Sequence, residues 1–323
     1  MSKVLPEISK QISAEGIRVV LYKNYSSIVG VWAPMQIAWL NGVYKTFNDH
    51  EKFMIVMHLM KKTFEAYSRN FVKLNYEEFF DQTMIEIDKI NVMEISKSLK
   101  MPKETARRKV IELEKMGTIK KIGKKIIIDR KTWPNIKPED TIRRVTKFLS
   151  TLSKMVCNER LISKPITSES LTETCKEYFS YVWKLYYEMQ IPFLLDFKKI
   201  YGDLESFHIN GIVITNHILN VKKNDNSEMS RDFYLEKYFL TDQKNFTGIN
   251  AMSISDITNI PRATVVRKLN KLVKNKFLHK NKKKLYSPMG LQVKKILEVQ
   301  KNTLNNLSKL AMNVYNLNLM KVY

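Results

Sequence analysis

Lys103, Thr105, Arg107 and Arg108 fall within six residues of one another, and Arg262, Thr264, Arg267 and Asn270 fall within nine. These are side chains that read rather than react. A guanidinium can offer two parallel donors to one guanine edge, and an asparagine amide can pair with adenine in the same way. Each set is followed by a dense group of lysines: Lys120, Lys121, Lys124 and Lys125 after the first, Lys280, Lys282, Lys283 and Lys284 after the second. Ammonium groups on flexible stems suit phosphate oxygens, which position a protein on a nucleic acid without selecting a sequence. The chemistry implied is recognition of a polyanion.

The charge distribution agrees. The chain of 323 residues carries a formal net charge of +23. Residues 97–131 hold thirteen Lys/Arg against four Asp/Glu, and residues 262–284 hold ten Lys/Arg and no acid. Most of the excess is therefore local, and a basic surface concentrated this way predicts a polyanionic partner.

The elements that must position these side chains occur twice. Ile90-Asn-Val-Met-Glu-Ile-Ser96 returns as Ile249-Asn-Ala-Met-Ser-Ile-Ser255, 159 residues later, and Pro102, Thr105, Arg108, Lys109, Leu113 and Lys115 recur at the same offset. A repeat near half the chain length implies two copies of one unit. Within each copy the pattern predicts a short helix, a turn closed by one apolar residue, and a second helix. Ala106, Val110 and Leu113, or Val265, Leu269 and Leu272, would form its buried stripe. The Met and Ile positions of the repeated heptapeptide are expected to face the core. Gly117 suits a left-handed helix end. Lys276 takes its place in the second copy, so that end needs a strained lysine or Asn275. A basic β-hairpin follows each second helix, the first turning near Gly123 and Lys124.

Upstream, the six residues from Met35 answer to the six from Met189 at an offset of 154, and Asp49 answers to Asp203. A small insertion near His208 to Ile212 is expected to change the offset to 159, placing His58 opposite His217. The first 25 residues form an amphipathic lead-in with no discernible counterpart. The expected organisation is a first repeat over residues 1–157, a linker over 158–173 and a second repeat over 174–323. The helix-turn-helix elements would span about 92–116 and 251–275, and the hairpins about 118–129 and 277–287. The fold class expected is mainly α, with extra helices before and after each helix-turn-helix.

Helix, tight turn, helix and basic hairpin together resemble the winged helix-turn-helix transcription regulators of bacteria and archaea, the broad group holding the MarR, GntR and IclR-like families. The resemblance covers about forty residues in each half. It implies sequence-specific binding of double-stranded DNA, with a recognition helix in the major groove and a wing on the neighbouring backbone. By it, Lys103, Thr105, Arg107 and Arg108, and Arg262, Thr264, Arg267 and Asn270, would face bases, with the eight wing lysines on phosphates. Two copies in one chain would act as a covalent pseudo-dimer, alone or as a homodimer. A replication initiator of a mobile element, or a winged-helix scaffold between proteins, would share these features.

Other chemistry has little support. The chain shows no Gly-rich phosphate loop, nucleophile elbow or spaced acidic pair, so no enzyme activity and no cofactor are expected. The five histidines lack metal-ligand spacing and His58 and His217 sit on apolar helices, so no metal site is expected. Cys157 and Cys175 fit neither a disulfide framework nor a zinc site. Residues 1–12 lack the apolar core of a signal peptide, and the most hydrophobic window is interrupted by polar residues, so a cytoplasmic, nucleoid-associated protein without membrane contact is expected. Trp39, Phe47, Trp183, Tyr186, Tyr187 and Phe193 could line a small-molecule effector pocket between helices, although core packing explains them more simply.

Overall fold

The computed structural model describes residues 11–82, 84–87, 90–122, 125–129, 138–241, 248–289 and 293–320. They form a mainly helical molecule with two small antiparallel β-elements. The first half runs α1 (Ala14–Lys23), α2 (Tyr25–Phe47), α3 (His50–Arg69), α4 (Tyr76–Asp81), β1 (Met84–Ile87), α5 (Val92–Ser98), α6 (Lys103–Lys115), β2 (Ile119–Ile122), β3 (Lys125–Asp129) and α7 (Glu139–Asn158). The second runs α8 (Ser168–Glu177), α9 (Phe179–Tyr201), α10 (Leu204–Asn224), α11 (Arg231–Leu235), a π-helical turn (Glu236–Thr241), α12 (Ala251–Thr258), α13 (Arg262–Lys274), β4 (Leu278–Lys280), β5 (Tyr286–Pro288) and α14 (Val293–Met320).

The repeat extends further towards the N-terminus than the sequence alone indicates. Helix α8 lies 154 residues after α1 at both ends, and α9 lies 154 after α2. Ser13 and Thr167 cap α1 and α8 by accepting from backbone N–H groups three residues on, at 3.1 and 3.2 Å. The buried positions also match: Ile17, Val20 and Leu21 in α1, Leu171, Thr174 and Cys175 in α8. Residues 14–23 are thus not an unmatched lead-in, and residues 168–173, expected in the linker, are the first turns of a helix. The connection shrinks to residues 159–166, and even there Ile162 and Ile166 are buried.

The expected insertion near His208 to Ile212 is also absent. Asp49 and Asp203 cap α3 and α10, and both helices then run without interruption, so the offset of 154 holds along them. Five extra residues inside a helix would rotate its later face by about 140°. One extra residue falls instead between α10 and α11, where the offset becomes 155, and the other four fall after α11. His58 and His217 are consequently not equivalent positions.

The two halves are interlocked rather than joined side by side. Helix α2 packs on α10 of the other half, and its counterpart α9 packs on α3. Helix α1 packs on α14, and its counterpart α8 packs on α7. Backbone contacts repeat the exchange. Leu74 N–H donates to Ser180 Oγ at 3.0 Å while Ser180 N–H donates to Leu74 O at 3.1 Å. Met229 and Ser26 form the same reciprocal pair at 2.9 and 3.2 Å. Gln36 and Gln190, which occupy matching positions, touch each other at 3.2 Å. Residues that meet their own counterparts mark a twofold axis, here an internal one. The flanking rings obey it: Trp39 against Tyr186 at 6.4 Å and 89°, Phe193 against Trp32 at 6.2 Å and 88°. One continuous apolar core spans both halves, so the aromatic residues of α2 and α9 are largely packing. Among the described residues, no helix is long and apolar enough to cross a membrane.

Candidate nucleic-acid interface

Helices α5 and α6, and their counterparts α12 and α13, are built by the same local devices. Asn91 and Asn250 cap α5 and α12, each side chain accepting a backbone N–H three residues on, at 3.0 and 2.9 Å. Ile95 and Ile254 are fully buried, anchoring each helix. Ser96 and Ser255 hydroxyls reach across the turn to the carbonyls of Met101 and Ile260, both at 2.7 Å. The turn needs one left-handed residue, supplied by Lys100 (φ 48°) and Asn259 (φ 57°), and Met101 and Ile260 plug the core beneath it. The methionine of the repeated heptapeptide does not face the core. Met93 and Met252 are 54% and 52% exposed, because their neighbours two positions on, Ile95 and Ile254, take the inward face.

In α6 and α13 the apolar stripes are sealed, leaving the opposite faces to solvent. Lys103, Arg107 and Arg108 are exposed on α6, as are Arg262, Arg267 and Asn270 on α13. Thr105 and Thr264 are half-buried at the edge of each stripe. The repeated Lys109 and Lys268 have a different task. Lys109 pairs with Asp49 and Lys268 with Asp203, the carboxylates that cap α3 and α10. Burial opposes the charge on Lys109, but Asp49 and Glu112 outweigh it and its pKa is raised. Burial likewise raises the Asp203 carboxyl, yet hydrogen bonds from Lys268, Lys271 and the Ser206 backbone hold it well below the usual carboxylate range. These pairs clamp each second helix to the core at a fixed angle. The sequence contained the signal, since both partners recur, but not that they meet.

The two outward faces differ in electrostatics. On α6, Arg107 is held by Glu104 through contacts of 2.6 to 3.1 Å, and Arg108 lies 3.7 Å from Glu112. The hydrogen bond from Arg107 lowers the pKa of Glu104, keeping that exposed pair ionised. Helix α13 contains no acidic residue, and among the described residues Arg262 and Arg267 have no carboxylate partner.

A three-stranded sheet of order β1-β3-β2 follows the first pair of helices. Lys120 and Lys121 are exposed on β2, with Lys121 also 3.8 Å from Glu114. Lys124 lies outside the described residues, as does the turn near Gly123. Lys125 begins β3, with its side chain likewise outside them. In the second half, β4 pairs with β5, and among the described residues Ile249 forms a bridge with Tyr286. Lys280, Lys282, Lys283 and Lys284 are all exposed there, and Lys280 sits 5.7 Å from the centre of the Tyr286 ring. Gly117 takes φ 72° after α6 and Lys276 takes φ 58° after α13, so the second copy uses the strained lysine rather than Asn275. Among the described residues no group of three His, Cys, Asp or Glu side chains could hold a metal ion.

No family model, curated protein or solved structure matches this chain.

Proposed function

We propose that this protein is a sequence-specific reader of double-stranded DNA, a transcription regulator in which one chain supplies both halves of a pseudo-dimer. One observation carries the reading: α6 and α13 occupy matching places about the internal twofold axis, each with its apolar stripe sealed and its positive face in solvent. The order helix, strand or bridge, helix, turn, helix, hairpin in each half supports a winged helix-turn-helix reading, under which α6 and α13 enter successive major grooves. The exposed lysines of the two hairpins then lie on the flanking phosphates. Joining the two readers covalently makes the second contact intramolecular and raises avidity. Such a protein would be nucleoid-associated.

The test is a salt titration with a mixed-sequence duplex, followed by selection of bound sequences from a random pool. Engagement of six or more phosphates predicts a loss of roughly a thousandfold or more in affinity between about 50 and 200 mM salt. Absent or salt-independent binding would sink the proposal and leave a scaffold between proteins as the use of the fold. Selected sites that cluster as short repeats at a replication origin rather than at promoters would favour an initiator.

A further inference from the structure

A cavity of about 170 Å³ opens between α2, α9, α10, α11, α14 and the second hairpin. It comprises little of the aromatic set singled out from sequence: of those six residues only Phe193 lines it. Its origin lies in a break of the internal symmetry. Ala33 and Gly211 line the cavity, and 154 residues away on the matching helices stand Tyr187 and Met57. In that twin location Tyr187 stacks on Phe64, the counterpart of the cavity-lining Ile218, with ring centres 6.3 Å apart. The same architectural position is thus filled with side chains in one half and hollow in the other.

The wall is apolar but not featureless. Gln36 and Asn210 line it while only 4% and 3% exposed. Gln36 Nε2 and Asn210 Oδ1 have no hydrogen-bond partner among the described residues, and the same holds for Oε1 of Gln300, a third lining residue. A buried polar atom left without a partner costs about 1–3 kcal/mol, so three around one apolar space call for a complementary group. Among the described residues no Lys, Arg, Asp, Glu or His lines the space, and a charge buried there would be uncompensated. A cavity near this size accommodates about one benzene-sized ring.

We propose that this cavity is a binding site for a neutral, single-ring aromatic molecule bearing a hydroxyl or amide group. The ring would lie against Phe193 and Phe207, with its polar group on the Gln36 and Asn210 amides. Phe277, Pro288 and Met289, at the ends of the second hairpin, form part of the wall, so occupancy bears directly on that hairpin's seating. Any consequence for DNA rests on the function proposed above. The binding itself is measured on the protein alone and fails or succeeds separately.

Phenol is the probe, followed through the ¹³C-methyl resonances of methionine in the full-length chain. Met289 should shift saturably with one site per chain while the exposed Met93 and Met252 stay unmoved. Benzoate, ionised at neutral pH, should bind at least about tenfold more weakly. Ala33→Tyr copies the filled twin site and should abolish the Met289 shift while keeping a cooperative melt. No saturable Met289 shift, equal binding of benzoate, or a folded Ala33→Tyr protein that still binds phenol would each overturn the proposal. If Ala33→Tyr does not fold, the Met289 titration and the benzoate comparison decide it on the unmodified chain.

Discussion

Arg107 on α6 has its Nε and Nη2 engaged by Glu104, whereas Arg267 on α13 has no acid within its helix. Releasing an exposed, solvent-screened pair costs little, yet the cost falls on one of the two helices only. Arg267→Ala should therefore weaken DNA binding by roughly 2–3 kcal/mol and Arg107→Ala by about 1 kcal/mol or less, measured by titration at fixed salt. Equal losses would mean that Glu104 does not restrain Arg107. Asp203 belongs to a different class of residue, because it caps α10 and pairs with Lys268 at 2.6 Å. Asp203→Ala removes the cap and leaves a Lys268 side chain only 13% exposed without its main partner. The melt should report a loss of about 2–4 kcal/mol, and an unchanged melting temperature would refute the clamp. The outward-facing side chains of α6 and α13 were legible in the sequence because exposure of a helix face follows from its apolar period. The clamps were not, since no local pattern says which distant carboxylate a lysine will meet.

Among the helices, most starts and the buried stripes could be read from caps and periodicity, while equivalences between elements could not be read so well. Helices α1 and α8 share almost no residue identities, only the burial pattern and a hydroxyl cap, and identity is what a repeat search detects. The same limitation paired His58 with His217, a coincidence of residue type that two unbroken helices forbid. Burial matters for the histidines in another way. His50 and His208 approach at 3.1 Å between α3 and α10, and burial pushes His50 down to about 4, His58 to about 4 and His208 well below its usual value. Each takes up its proton more readily unfolded than folded. Their neutral burial therefore leaves stability intact above about pH 6.5 and erodes it as pH falls towards 4, by up to about 1.4 kcal/mol per pH unit for each. Denaturant titrations across that range should show a steep loss, and His58→Phe should make it shallower by one histidine's share. The helix ends supply a further test. Lys276 holds a left-handed conformation that Gly117 holds without strain in the other copy. Lys276→Gly should stabilise the protein by roughly 0.5–1 kcal/mol and Gly117→Ala should destabilise it by at least as much, both read from thermal melts.

At the scale of the molecule, reciprocal packing of α1 on α14 and α8 on α7 leaves neither half with a complete core of its own. Two repeats in one chain usually suggest two domains and a tether, and that was the natural expectation here. Nothing in a linear sequence distinguishes side-by-side copies from exchanged ones, because the same apolar stripes serve both. Unfolding should accordingly be one cooperative transition by every probe. Chains covering residues 1–166 and 167–323, expressed separately, should be largely unfolded alone and should regain helical circular dichroism when mixed. Independent folding of either half would contradict the exchange.

A dimer of identical chains must repeat every feature, so a hollow in one subunit is a hollow in both. Here Ala33 faces one location and Tyr187 its twin, an arrangement open only to copies that share a chain and can drift apart. Two readers would then answer to one receptor site, with no half-loaded state between empty and full. The response to such a ligand would follow a simple hyperbola with a Hill coefficient of about one, graded where paired sites allow a steeper switch.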